Sequence, residues 1–291
     1  MTSAAGERRL GVFLVLIAAF LWSLAGLFTR VIALDVWTLL FWRAVFGGGL
    51  MFVYLVVEHR RRSFAVFGKL GALGWSAAGI LAIGMVAYVA ALKLTSVANV
   101  LVIYATTPFF AAGIALVWTG ERPSRRALIA SAVSLAGVAI MVSGSARSGK
   151  LLGDVLALVM TSFFAFIIVM ARRDPNFSMT PVNVLASLLC ALACWPLSQA
   201  GLPGAQDLLL VALFGFCTIS GAFVVYMAGA KRLPAAETGL IGLIDTLLGP
   251  LWVWLAFSET PSLAALIGGA VMLGAVAWFM AGELRTARPA P

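Results

Sequence analysis

Ten long apolar runs follow one another along this chain, and they constrain its fold more than any other feature of the sequence. Each run has about 20 residues, the length that a helix needs to cross the hydrocarbon core of a bilayer. A strand of a membrane barrel would have about 10 residues and would alternate apolar with polar side chains. The sequence therefore predicts an all-α membrane protein with ten transmembrane helices joined by short loops. We call the runs spans 1 to 10, and they cover residues 10–33, 36–57, 68–92, 97–119, 125–143, 151–171, 180–200, 207–230, 236–257 and 261–282.

The composition excludes an ordinary soluble protein. Apolar residues make up 63% of the 291 residues and charged residues only 11%, whereas about 25% of a soluble domain is charged. The net charge of +9 could suggest a nucleic-acid partner. The basic residues, however, form small clusters between the spans, which is typical of loops that face anionic lipid. We therefore expect the lipid bilayer, and not nucleic acid, as the partner of this charge.

The distribution of Lys and Arg predicts the orientation in the membrane. If the N-terminus is cytoplasmic, 15 of the 20 basic residues fall on the cytoplasmic side and four fall on the opposite side, while Arg43 lies within span 2. This asymmetry follows the positive-inside rule. An even number of spans also places the basic residues near the C-terminus in the cytoplasm. The sequence thus predicts an N-in, C-in, multi-pass protein.

An internal repeat divides the chain into two halves. A shift of 138 residues aligns residues 88–144 with residues 226–282 and gives 17 identities in 57 positions. Tyr88 falls on Tyr226, and Lys93 falls on Lys231. We place the halves at residues 1–147 and 148–291, with five spans in each. Because five is odd, the second half enters the membrane inverted, which is the architecture of many secondary transporters.

Several short motifs resemble those of one transporter family. They are Trp22-Ser23, Phe41-Trp42-Arg43-Ala44, Pro108-Phe109-Phe110 and Gly120-Glu121-Arg122. With them, the chain resembles the EamA-type branch of the drug/metabolite transporter superfamily. The stretch from Asp245 to Trp252 is similar to the YddG group of aromatic amino-acid exporters within it. The second half departs from the pattern, because Thr246 stands where the first half has Pro108.

This resemblance has implications for fold, location and activity. It implies an exporter of amino acids and related metabolites in the bacterial inner membrane. It also implies a central cavity between the two halves. We expect helices 1, 3, 4, 6, 8 and 9 to line that cavity.

Charged residues inside the spans are the first candidates for function, because burying a charge in a bilayer is costly. Asp245 lies near the middle of span 9 and could bind a substrate ammonium group or carry a coupling proton. It could equally tie two helices together. Arg43 could receive a substrate carboxylate, or it could be a structural arginine that snorkels outward or binds backbone carbonyls. Glu121 and its repeat counterpart Glu259 are expected to cap helices or to pair within loops.

Aromatic and small polar residues complete the predicted substrate site. Aromatic rings could form the walls, and hydroxyl or amide groups could hydrogen-bond the substrate. For each of these residues, helix packing is the competing interpretation. The predicted substrate-binding residues are Trp22, Tyr88, Asn99, Tyr104, Thr107, Ser162, Phe163, Phe166, Tyr226, Asp245 and Thr246.

The sequence argues against an enzyme and against a cofactor. His59 is the single histidine, and the three cysteines all lie within spans, so neither a metal site nor a catalytic triad is expected. Residues 144–150 have the spacing of a phosphate-binding loop, but Leu151 replaces the Ser or Thr that would bind magnesium. We therefore expect ion gradients, not ATP, to supply the energy.

The sequence-based prediction is a secondary transporter that exports amino acids by alternating access. Aromatic and bulky apolar amino acids are favoured, and the alternative is a broad exporter of cationic drugs or other metabolites. Ala132 and Ala136 of span 5 match Ala270 and Gly274 of span 10. Such small residues could form a close contact within a monomer or across a homodimer.

Overall fold

The computed structural model describes residues 4–60, 63–120, 123–147, 149–173, 177–199 and 201–286. Glu121 and Arg122 therefore lie outside the described residues. Within these ranges, all regular secondary structure is helical, which confirms the predicted fold class. Nine helices there are long and apolar enough to cross a membrane, and there are ten if one bent pair counts as a single span.

The helices follow the predicted spans closely. Span 1 consists of α1 (Ala4–Ser23) and α2 (Ala25–Val31), span 2 is α3 (Val36–His59), α4 (Ser63–Gly68) is a short connecting helix, span 3 is α5 (Gly71–Leu94), and span 4 consists of α6 (Val97–Ala105) and α7 (Thr107–Thr119). Span 5 is α8 (Arg125–Arg147), span 6 is α9 (Leu151–Arg173), and span 7 is α10 (Met179–Cys194). Span 8 consists of α11 (Ala205–Gly215), a π-helical segment (Phe216–Ser220) and α12 (Gly221–Ala230), span 9 is α13 (Ala235–Phe257), and span 10 is α14 (Leu263–Thr286).

Local sequence explains where several helices begin and bend. The Asp35 carboxylate accepts hydrogen bonds from the backbone N–H groups of Trp37 and Thr38, at 2.9 and 3.1 Å, and so caps α3. Partial burial raises the pKa of Asp35, but hydrogen bonds from Thr38 and Trp37 outweigh that effect and leave the pKa below its ordinary value. Span 4 bends by 43° between α6 and α7. Pro108 explains the bend, because proline lacks an N–H group and its ring clashes with the preceding turn.

The spans pack across the two halves in a symmetric way. Span 1 packs against span 8, span 2 against span 7, span 3 against span 6, span 4 against span 9, and span 5 against span 10. Each span has a counterpart in the other half, so that span 1 corresponds to span 6 and span 3 to span 8. Replacing every span by its counterpart gives the same set of pairs; for example, the pair of spans 1 and 8 becomes the pair of spans 6 and 3. The packing is therefore that of two repeated halves related by a pseudo-two-fold axis. The division of the halves at residue 147 stays a prediction.

Ion pairs identify the two ends of the bundle. At the end where span 1 begins and span 9 begins, Arg8 pairs with Glu237 at 2.5 Å. We call this the basic end, because it is the side that is predicted to carry 15 of the basic residues. At the other end, where span 1 ends and span 9 ends, Arg30 pairs with Glu259 at 2.8 Å. We call this the opposite end.

Glycine, and not alanine, allows the close contact between spans 5 and 10. A Cβ atom on Gly268 would lie 2.5 Å from the carbonyl oxygen of Gly137, so the two backbones touch there. The small residues Ala132, Ala136, Ala270 and Gly274 are instead exposed on the outside of this helix pair. They therefore do not form a contact within the monomer.

We expect the substitution Gly268→Val to destabilise the protein. The new side chain would overlap the Gly137 carbonyl and the Met141 side chain, and overpacking of this kind costs about 1–3 kcal/mol. Gly274→Val on the same helix is the matched control, because a Cβ atom there meets nothing within 4 Å. Thermal unfolding in detergent should show a lower melting temperature for Gly268→Val alone. Equal melting temperatures would contradict the close contact.

Candidate functional site

A cavity of about 530 Å³ lies between two walls of helices. Span 1 packs against spans 8 and 9 and forms the first wall with them, and span 6 packs against spans 3 and 4 on the other side. The described lining residues come from spans 1, 4, 6, 8 and 9, as predicted, and also from spans 5 and 10; the prediction that helix 3 lines the cavity is wrong, because span 3 packs behind span 6. The volume of the cavity falls within the range of about 300–1,000 Å³ that is usual for small-molecule sites. Each wall combines helices from both halves of the chain. Span 1 packs against spans of the second half, and span 6 packs against spans of the first half.

The cavity extends toward the basic end. Tyr104 and Asp245 lie deep in it, while Ser124 and Thr238 line it near the beginnings of spans 5 and 9. None of the lining residues belongs to the connections at the opposite end. The arrangement is that of a site that is accessible from one side of the membrane.

Asp245 is the one charged residue among the described residues that line the cavity. Its side chain is buried, with 7% of the residue exposed. One carboxylate oxygen accepts a hydrogen bond from the Thr246 hydroxyl, at 3.0 Å. No lysine or arginine of the described chain lines this space. The carboxylate can therefore serve a positively charged or hydrogen-bond-donating group of a bound molecule.

Two pairs of aromatic rings stand on the cavity walls. Trp22 of span 1 packs against Tyr226 of span 8 with ring centres 5.1 Å apart, and Tyr104 packs against Phe164 at 5.5 Å. The indole N–H of Trp22 donates a hydrogen bond to the carbonyl oxygen of Thr218, at 3.3 Å, which fixes the ring. The two pairs lie on opposite walls and provide apolar surfaces for a flat or bulky side chain.

Six of the predicted site residues line this cavity, and one more lies close to it. The six are Trp22, Tyr104, Thr107, Tyr226, Asp245 and Thr246. Tyr88 is not in the lining, but its hydroxyl group interacts electrostatically with both Arg43 and Asp245. Thr107 and Asp245 occupy equivalent positions in the repeat, so the two halves contribute corresponding residues to one site.

Four other predicted residues lie away from the cavity. The Asn99 amide donates to the Asp154 carboxylate at 3.0 Å, and the Ser162 hydroxyl donates to the Leu158 carbonyl of its own helix. Phe163 packs beside Gly84 of span 3. Phe166 stacks on Trp118 with ring centres 4.9 Å apart. For Phe163, Ser162 and Phe166 the reason is the helix period, because other positions of span 6 face the cavity.

The lining also includes residues that the sequence did not predict. Phe164 and Ile168 are four residues apart and present one face of span 6 to the cavity. Phe279 and Met280 of span 10 close its side near the basic end. The i, i+4 spacing of Phe164 and Ile168 could have indicated the first pair. Nothing in the pattern of span 10 separates the second pair from lipid-facing residues.

Arg43 is a buried cation near the first wall. It is 4% exposed, and its Nε and Nη2 atoms donate to the Thr218 hydroxyl at 3.1 and 2.9 Å. Its guanidinium also lies over the Phe214 ring, 4.7 Å from the ring centre. Arg43 therefore neither snorkels outward nor binds a backbone carbonyl. It holds span 2 against span 8.

Metal-binding side chains are scattered in the part of the chain that the structure describes. No group of three or more His, Cys, Asp or Glu side chains there could hold a metal ion. Cys190, Cys194 and Cys217 are all buried free thiols. The chemistry available in the cavity is thus limited to one carboxylate, hydroxyl groups and aromatic rings.

Comparison with known proteins identifies a family. A sequence model described as the EamA-like transporter family matches residues 9–143 and, a second time, residues 151–281. Eleven chains of solved structures also match. One of them, a crystal structure of a protein with 21% sequence identity, covers 96% of this chain and 99% of its own length with a TM-score of 0.66. That likeness concerns the fold. No curated protein matches the sequence.

Proposed function

Because the chain belongs to the EamA-like transporter family, we propose that it is a secondary transporter that exports amino acids across the bacterial inner membrane. We infer that aromatic and bulky apolar amino acids are its preferred substrates. The observation that carries this proposal is the composition of the cavity, in which one carboxylate stands among aromatic rings. The similarity of residues 245–252 to the YddG group of aromatic amino-acid exporters supports the same substrate class.

In this proposal, Asp245 binds the ammonium group of the substrate. A charged hydrogen bond in a space of low dielectric constant is stronger than one in water. The substrate side chain then rests between the ring pair of Trp22 and Tyr226 and the ring pair of Tyr104 and Phe164. Thr107 and Thr246 line the cavity beside Asp245, and to bind the carboxylate end their hydroxyl groups would turn from their present acceptors, the Tyr104 carbonyl and the Asp245 carboxylate.

We infer that the transport proceeds by alternating access. The cavity extends to the basic end, whereas polar contacts join the two walls at the opposite end. If those contacts separate while the walls approach each other at the basic end, the same site faces the other side of the membrane. The symmetric packing of the spans favours such a movement, because inverted repeats can adopt two related arrangements.

One observation favours a second candidate function. No basic side chain of the described residues lines the cavity to pair with a substrate carboxylate. A cationic drug or amine without a carboxylate would need only Asp245 and the faces of the aromatic rings, through cation–π contacts. Competition between phenylalanine, phenethylamine and a quaternary ammonium compound separates the two functions. Stronger competition by the two cations would favour the second.

We expect purified protein in liposomes to take up labelled phenylalanine in a saturable way. Unlabelled tryptophan should suppress this uptake, because both side chains fit the same aromatic walls. An imposed proton gradient should change the rate if the transport is proton-coupled. Liposomes without protein are the control. If folded protein gives no uptake above that control, amino-acid transport is excluded and cationic substrates are to be tested next.

A further inference from the structure

We propose that Arg30 and Lys93 form a reversible latch that closes the cavity at the opposite end. This inference rests on the proposed alternating-access function and names the residues that govern it. Arg30 belongs to α2 in the first wall, and Lys93 belongs to α5 in the second. Both helices end at the opposite end of the bundle, and each of the two side chains reaches the end of the other helix.

The contacts are reciprocal. The Arg30 guanidinium donates to the carbonyl oxygens of Leu92 and Thr95 at the end of α5. The distance from Arg30 Nη2 to the Thr95 oxygen is 3.0 Å. The Lys93 ammonium donates to the carbonyl oxygens of Ile32 and Leu34 just beyond α2, at 2.9 and 3.4 Å. Each helix therefore carries a cation that binds carbonyl groups at, or just beyond, the end of the other helix.

Helix ends provide the physical reason for this arrangement. The last four carbonyl groups of a helix have no partner within the helix, and the partial negative charge at a helix C-terminus favours a cation. When Arg30 and Lys93 withdraw, water at the membrane surface can hydrate these carbonyl groups instead. The contacts can thus hold the walls together and still be released.

Glu259 keeps the two like charges close together. Arg30 and Lys93 are close enough to interact electrostatically. Because both are cations, they repel each other. The Glu259 carboxylate binds Arg30 through two contacts, at 2.8 and 3.2 Å. Because Glu259 follows span 9, it belongs to the first wall with Arg30. It therefore orients the guanidinium toward the second wall.

The repeat supplies a comparison within the same chain. Lys231 occupies the position equivalent to Lys93, but at the basic end. In this structure Lys231 is exposed, and its side-chain ammonium makes no hydrogen bond to the described residues. Lys93, at the opposite end, thus binds carbonyl groups of the other wall. Lys231, at the basic end toward which the cavity extends, makes no such side-chain contact with the described residues. This difference is the one expected of a latch that works at one end at a time.

The test is the accessibility of a cysteine placed in the cavity at Ala112. Spheroplasts and inverted membrane vesicles expose opposite sides of the membrane, so a membrane-impermeant maleimide reports access from each side in turn. Protein without the added cysteine corrects for the native thiols. With Arg30 and Lys93 intact, we expect labelling mainly from the side of the basic end.

Lys93→Gln and Arg30→Gln should each raise labelling from the opposite end, and the double variant should raise it about tenfold. Lys231→Gln is the matched control and should leave that labelling unchanged. Unchanged labelling in the double variant, or an equal rise in Lys231→Gln, would overturn the latch. The assay needs no substrate, so its result is independent of whether amino acids are transported. If labelling depends on Arg30 and Lys93 but phenylalanine is not taken up, the proposed substrate is rejected and the latch is not.

Discussion

Asp245→Asn should reduce transport of phenylalanine by about 10- to 100-fold, since a hydrogen bond to a charged group contributes about 1.5–3 kcal/mol. The change removes the one negative charge among the described residues of the cavity but keeps the size of the side chain. The substrate ammonium group then loses its counter-charge, because no other acidic side chain of the described residues lines the cavity. Initial rates of uptake into liposomes, measured over a range of phenylalanine concentrations, provide the test.

Asp207→Asn is the matched control for this experiment. Asp207 lies in the first turn of α11 and does not line the cavity, so its neutralisation should leave uptake unchanged. Asp245→Glu keeps the charge and should retain part of the activity. If Asp245→Asn binds and transports phenylalanine like the unsubstituted protein, Asp245 does not belong to the substrate site.

Tyr226→Ala should weaken the binding of aromatic substrates more than that of aliphatic ones. Tyr226 packs against Trp22 at 5.1 Å and supports that ring on the cavity wall. An aromatic contact contributes about 0.5–1.5 kcal/mol beyond its buried area, which corresponds to about 2- to 12-fold in affinity. The measurement is the ability of unlabelled tryptophan and leucine to compete with labelled phenylalanine.

Tyr54→Ala provides the comparison for that substitution. Tyr54 belongs to span 2, is 36% exposed on the outside of the bundle and does not line the cavity. Its loss should change neither competition curve. An equal loss of affinity for tryptophan and leucine in Tyr226→Ala would indicate a general defect in packing. It would argue against an aromatic wall.

The two predictions address different parts of the proposed site. Asp245 is proposed to bind the charged end of the substrate, and Tyr226 is proposed to bind its side chain. A cationic drug would depend on both residues as well, through its charge and through cation–π contacts. Only competition with substrates that lack a carboxylate separates these two substrate classes.

The number, type and repetition of the helices could be predicted from the sequence. Membrane spans are long and apolar because the hydrocarbon core requires it, and this signal does not depend on the neighbouring helices. The repeat was visible because Tyr88, Lys93 and Glu121 recur 138 residues later. The family model matches the same two halves. Asp245 was also identifiable, because a carboxylate in the middle of a span is rare.

The faces of the helices were much harder to predict. In a soluble protein, the polar face of a helix indicates which side meets water. In span 6 most residues are apolar, so no polar face separated Phe164 from Phe163 and Phe166, and the sequence analysis chose the latter two. The structure directs Phe164 to the cavity and packs Phe166 against Trp118. Asn99 had the polarity of a binding residue, but its amide instead meets the Asp154 carboxylate.

By itself, the sequence determined that this chain forms ten apolar helices in two related sets, because hydropathy and charge act on each segment separately. Only the tertiary structure decided which helices share a wall. Span 1 packs with spans 8 and 9, and span 6 packs with spans 3 and 4, so each wall takes helices from both halves. The cavity and the latch of Arg30 and Lys93 both depend on this exchange. Lipid is as apolar as a leucine side chain, so helix pairing in membranes is decided by shape and by polar contacts between distant residues.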